Sequence, residues 1–195
     1  MIWLGCKPST HGAEFAGFET QPTGWRNRAG TDDRPRIGIV WRGNPGHSND
    51  VSRSLSLKDC VPLFEVPGVQ FISLQKEMSS EDRMYLQTLD NVADLGTAFE
   101  DFADTAAVVV SLDLVIAVDT SVAHLAGAMN KPVWTLVSAL PDFRWLLDRE
   151  DSPWYPSATL FRQRRRGRWP PVIEEVVSRL MKKVEKTYLP RQSTR

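Results

Sequence analysis

Short uninterrupted apolar runs, each closed by small polar residues and followed by a helical apolar period, recur along most of the chain. The plainest case is 113–137, DLVIAVDTSVAHLAGAMNKPVWTLV. Leu114, Val115, Ile116, Ala117 and Val118 form a run rich in β-branched residues, the pattern of a parallel strand buried on both faces. The run stops at Asp119-Thr120-Ser121, three residues suited to capping a helix start. Val122, Leu125, Ala126 and Met129 then fall at i, i+3, i+4 and i+7, which predicts one apolar helix face. Asn130 and Pro132 end the helix, and 133–137 begins another buried strand. The whole is a β-α-β unit.

The same alternation extends to both sides. RIGIVWR at 36–42 is a first strand that runs straight into GNPGHSNDVSRSL. A short helix over 57–64 ends at Val66-Pro67-Gly68, and VQFISL at 69–74 is a second strand ending in Gln75-Lys76-Glu77. Ser79-Ser80-Glu81 starts a helix. A short strand follows at 92–95, then a loop over 99–104 and a helix from Thr105 with Ala106, Val109 and Val110 inward. Residues 160–162 make a sixth strand. Pro170-Pro171 opens a last helix with Val172, Val176, Leu180 and Val184 on one face. Strands alternating with helices predict an α/β fold, a single Rossmann-like parallel sheet of five or six strands with helices on both faces. The domain is expected at 35–188. Residues 1–34, with scattered aromatics at Trp3, Phe15, Phe18 and Trp25, read as an irregular lead-in or the remnant of a preceding domain, and 189–195 as a frayed tail.

Polar chemistry gathers where these strands end. A helix that begins at a strand's carboxyl end offers unpaired N–H groups and the positive end of its dipole, so a phosphate is welcome there. Thr120 and Ser121 add hydroxyl donors, and His124 lies one turn on, on the same side as Thr120. The same residues equally make an ordinary N-cap with a surface histidine. Gly43-Asn44-Pro45-Gly46 places a tight, open loop at the end of the first strand, where α/β proteins bind ligands. There is no G-x-G-x-x-G in the chain, which counts against a dinucleotide-binding dehydrogenase.

The string VDTSVAHLAGAMNKPVW resembles the D-T-small-x-x-H-L-A-x-A-x-x-K/R-P-V signature in the C-terminal domain of heptosyltransferase-like glycosyltransferases, glycosyltransferase family 9 and its relatives. The likeness is strongest to the branch found behind tetratricopeptide repeats in bacterial proteins, and it runs from about Arg36 to Leu180. The 41–54 loop resembles that branch's W-x-G-N-P-x-H-x-N-D-x-x-R-S stretch, and RWLLDREDSPWYP also carries a family phrase. The resemblance implies the C-terminal half of a GT-B enzyme, whose two Rossmann-like domains hold the nucleotide-sugar mainly in the second. It implies that Arg53 reaches the donor diphosphate, with Asp119, Thr120, Ser121 and His124, and that Gln75 and Lys76 touch ribose or phosphate. A surface cap suits Gln75 and Lys76 as well. Gly43, Asn44, His47, Asn49 and Asp50 are candidates for the sugar or for fixing the loop. Phe102 is placed as an apolar wall for the base, or as core, with Asp104 capping the helix; Asp142 and Arg144 are placed to face the sugar. Trp145, Trp154 and Tyr155 offer planar surfaces.

Composition narrows this little. The 195 residues balance 24 basic against 24 acidic side chains, so no global field favours nucleic acid or membrane. Cys6 and Cys60 have no metal or redox spacing, no apolar run is long enough to span a bilayer, and the N-terminus lacks signal-peptide features, so a cytoplasmic location is expected. RQRRRGR at 162–168 holds five arginines in seven residues; without interleaved aromatics it reads as a solvated loop. No Asp-x-Asp in strand-end context and no metal-spaced cluster is present, which predicts a metal-independent site needing no cofactor beyond a nucleoside-diphosphate sugar as donor substrate. Catalytic residues are not identified, since the family's general base and acceptor groove belong to its N-terminal domain. The expectation is therefore a donor-binding half, inactive alone and completed by an N-terminal domain or paired with a second copy. In that arrangement the apolar face of the last helix is expected to need a cover from 1–34 or from another chain. The alternative is a non-catalytic nucleotide-binding or protein-interaction module.

Overall fold

The computed structural model describes residues 34–46 and 50–187. The strands are β1 (Arg36–Val40), β2 (Gln70–Ser73), β3 (Val92–Asp94), β4 (Leu114–Val118), β5 (Val133–Val137) and β6 (Ala158–Arg162). They form one parallel six-stranded sheet in the order β3-β2-β1-β4-β5-β6. The helices are α1 (Asp50–Arg53), α2 (Leu57–Phe64), α3 (Ser80–Leu86), α4 (Phe102–Val110), α5 (Ser121–Ala128) and α6 (Pro170–Thr187). The predicted single parallel sheet with helices on both faces is the observed fold.

The period of two along each strand sorts side chains into two cores. Ile37, Ile39 and Trp41 with Leu114, Ile116 and Val118 face α2 and α6. Val40, Val115 and Ala117 face the other way, against Val108 and Val109 of α4 and Ala123 and Ala126 of α5. All five residues of β4 are buried, as a central parallel strand requires. Ser56 and Asp59 close a capping box at the start of α2, and Ser79 caps α3 through its bond from Asp82 N.

Four expectations need correction. The apolar face of α6 requires no outside cover: Val172, Val176, Leu180 and Val184 are buried in the domain's own core, where α6 packs on α2 and β6. In α5 the buried stripe is Ala123, Ala126 and Gly127, while Val122, Leu125 and Met129 are only half-buried. The smallest residues face the sheet, which lets the helix axis approach it closely. Helix α4 starts three residues early because Asp101, not Asp104, is its N-cap, accepting from Ala103 N and Asp104 N. That places Phe102 and Val110 outside, at 58% and 43% exposure, so neither is core. The expected lead-in over 1–33 and the tail from 188 lie outside the described residues.

Candidate functional site

Strands to one side of β1 follow the order 1, 2, 3 and to the other side 4, 5, 6, so successive connections leave β1 and β4 in opposite directions. A crevice opens at the carboxyl ends of such a pair, where no connection crosses. Here it is a cleft of about 430 Å³. The β1 loop and α1 bring Arg42, Gly43, Asn44 and Arg53; the end of β2 brings Gln75, Lys76 and Glu77; the β4–α5 turn brings Asp119, Thr120, Ser121 and His124. Asp142 and Arg144, beyond β5, close the rim. Thus most of the sequence candidates converge. Phe102 does not line the cleft, Asp50 lies buried behind Arg53, and His47 and Asn49 fall outside the described residues.

Arg53 is held by a polar ring behind it. Gly43 N–H donates to Ser54 Oγ (2.9 Å), and Ser54 Oγ–H donates to Asp50 Oδ1 (2.7 Å), which lies 3.6 Å from Arg53 Nε. A Cβ on Gly43 would stand 2.8 Å from an Arg53 terminal nitrogen and 2.7 Å from Asp50 Oδ1, so only glycine lets the guanidinium lie against the loop. Arg53 Nε is buried and without a hydrogen-bond partner. Asp50 is thus a support for the arginine.

Across the cleft, Thr120 is the N-cap of α5, yet its side chain makes no capping bond and its buried Oγ1 has no partner. An orphaned hydroxyl beside the open N–H groups of a first turn is a ready donor for an anion. His124, one turn on, stacks on Trp145 with centroids 5.0 Å apart, its Nδ1 3.0 Å from the Tyr155 hydroxyl and its Nε2 3.5 Å from Asp119 Oδ1. Burial pushes the Asp119 carboxyl up, but the His124 and Trp145 rings beside it and the Arg53 charge outweigh burial and hold Asp119 below the usual carboxylate range. Trp145 is fully buried beneath His124, so it offers no face to a ligand.

The remaining candidates differ in what they leave free. Gln75, buried, uses its amide on backbone: Oε1 accepts from Arg42 N, and Nε2 donates to Arg42 O and Glu77 O, each at 3.1 Å. It straps β1's loop to β2's and shapes the floor. Lys76 Nζ donates to Glu100 O at 3.0 Å from an exposed position. Asp142 caps the 3-10 turn Phe143–Trp145 through Arg144 N and pairs with the Arg144 guanidinium at 2.9 Å. Sequence reasoning passed over Glu77 and the Tyr155–His124 contact. Glu77 was visible only as the neighbour of Gln75-Lys76, and nothing in the spacing of Tyr155 and His124 announces that they meet.

The cleft thus lies at the switch point of a parallel sheet, with Arg53, Lys76 and a helix start on its walls, and the comparisons with known proteins bear on this part of the chain. Residues 97–170, from before α4 to the start of α6, match the family model of glycosyltransferase family 9 (heptosyltransferase). Protein FlbA of Caulobacter vibrioides is 28% identical over 75% of this chain, which spans only 25% of FlbA's length. A crystal structure of a glycosyl transferase family 9 protein from Veillonella parvula DSM 2008 superposes on 72% of this chain and 38% of its own, with 16% identity and a TM-score of 0.49. The likeness to glycosyltransferase family 9 thus lies over residues 97–170, which contain the 113–137 signature.

Proposed function

We propose that the domain binds a nucleoside-diphosphate sugar, with the diphosphate over the first turn of α5, and acts as the donor half of a metal-independent GT-B glycosyl transfer. The observation that carries this reading is buried Thr120 Oγ1, without a partner at the helix start, in the cleft whose opposite wall carries Arg53, whose Nε makes no hydrogen bond and has only the longer ion pair to Asp50 behind it. Buried donors without partners are rare and point to a missing acceptor. Phosphate oxygens supply acceptors, and a guanidinium fork suits them. In the reaction the bond from the anomeric carbon to the diphosphate oxygen breaks, a bond to the acceptor oxygen forms, and the acceptor proton passes to a base. Thr120, the α5 dipole, Arg53 and Lys76 would meet the charge growing on the leaving diphosphate.

The base is the part this cleft supplies least. Asp119 is engaged with His124 and Asp142 with Arg144, which leaves Glu77, on the exposed rim, as the cleft's remaining carboxylate. We therefore assign the base and the acceptor groove to a second domain. The same pairing favours, as a second reading, a nucleotide-binding module without turnover. Calorimetry with ADP, UDP and GDP tests the site: Arg53→Ala is expected to weaken the best nucleotide about 10- to 100-fold, the loss of one charge-assisted contact of about 1.5–3 kcal/mol. Unchanged affinity removes Arg53 from the site. Labelled nucleotide-sugars with a panel of acceptors separate the readings, since turnover above about one per second lies in the ordinary enzyme range and would show that this chain needs no second domain.

A further inference from the structure

A second concavity opens at the same edge of the sheet, beyond β6, and shares no lining residue with the cleft. It holds about 340 Å³ between Arg162, Arg164, Arg165 and Arg168 on the β6–α6 loop and Val172 and Glu175 on α6. In a chain with 24 basic and 24 acidic residues, this is a local concentration of one sign.

The loop is built rather than draped. Gln163, 3% exposed, accepts from Ala139 N (3.3 Å) and Gly167 N (3.2 Å). Arg168 N donates to Arg165 O at 3.0 Å, and Gly167 turns the chain at φ 74°. Two arginines brace it: Arg162 donates to the carbonyls of Trp145, Leu146 and Arg149, and Arg166 donates to Ser52 Oγ at 3.1 Å. The other three, Arg164, Arg165 and Arg168, are exposed, and their guanidinium groups have no hydrogen-bond or carboxylate partner among the described residues. The pocket's carboxylate, Glu175, is already bonded to Arg179 at 2.6 Å. Like charges gathered on a fixed turn repel one another, and an anion of more than one charge relieves that repulsion.

We propose that this pocket is a binding site for a compact phosphorylated ligand, a phosphate monoester or diphosphate, free or carried on a larger molecule. Guanidinium forks match phosphate oxygens bidentately. The volume suits a small ligand. No aromatic side chain lines the pocket, whereas a single-stranded nucleic acid site uses aromatic platforms for its bases.

Calorimetry with inorganic pyrophosphate on the full chain tests this. The doubly substituted R164A/R165A protein is expected to lose one class of site by at least about 100-fold, at about tenfold or more per guanidinium, and to melt like the wild type because both side chains are exposed. R53A is expected to leave that class intact. If the cleft takes no pyrophosphate, the wild type shows a single site and R164A/R165A abolishes it, so the two proposals fail separately. R164K/R165K keeps the charge without the forks and is expected to bind at an intermediate strength. Unchanged affinity and stoichiometry in R164A/R165A overturns the site. Wild-type strength in R164K/R165K overturns fork recognition, and tighter binding of a short single-stranded oligonucleotide than of pyrophosphate overturns the compact ligand.

Discussion

Tyr155 meets His124 from behind the cleft wall, and the contact bears on which ring nitrogen holds the histidine's proton. With the Asp119 carboxylate 3.5 Å from Nε2, the arrangement favours the tautomer with hydrogen on Nε2, in which Nδ1 accepts from the Tyr155 hydroxyl. Tyr155→Phe removes that donor. We expect the nitrogen-15 signals of His124 to shift toward a mixed tautomer, and nucleotide affinity to fall roughly 2- to 10-fold, the worth of a hydrogen bond of about 0.5–1.5 kcal/mol. Asp119 also gives a pH signature. Its folded pKa is depressed, so its stabilising effect is complete above the unfolded value and is lost as pH falls through the lower folded one. The stability difference between wild type and Asp119→Asn is expected to be largest near neutrality and to shrink below about pH 4, measured by urea unfolding. The convergence of Asp119, Thr120, Ser121, His124 and Arg53 on one cleft was legible because strand ends and a family signature mark them. Tyr155 was not, because its partner lies in another element and only the packing joins them.

At the scale of elements, α5 shows what periodicity reads and what it misses. Its position was plain, but the apolar count chose Val122, Leu125, Ala126 and Met129, and of these the sheet buries only Ala126, together with Ala123 and Gly127. Close approach selects for small size, which a hydrophobic pattern does not weigh. Tyr155 fills the gap left at Gly127, where a Cβ would stand 2.5 Å from its Cγ. Gly127→Ala therefore forces the ring aside. We expect a loss of about 1–3 kcal/mol in stability and, with the hydroxyl displaced, the same change in His124 tautomer as Tyr155→Phe. Wild-type stability with a wild-type histidine spectrum would show that the ring moves freely. The start of α4 was missed for a simpler reason: Asp101 and Asp104 both suit a cap, and Asp101 takes it by accepting from two backbone N–H groups.

For the whole molecule, the class of fold followed from buried runs alternating with amphipathic stretches, and the order of strands did not. Nothing in a β-branched run says which neighbour it will take, so the pairing of β1 with both β2 and β4 came only with the structure. That pairing has a consequence for folding. Ile39 sits beside Ile116, and the cleft draws on the ends of β1, β2, β4 and β5, so no local unit contains a binding site. Contacts this distant in sequence form late and slowly. A bound nucleotide then reports on the finished sheet alone. At about 100 times its dissociation constant it should add about 2.7 kcal/mol to global stability, and amide exchange across 37–40 and 115–118 should slow by one common factor, near 100-fold. Slowing confined to the cleft loops would mean that those loops open without the sheet, and that the ligand senses them instead.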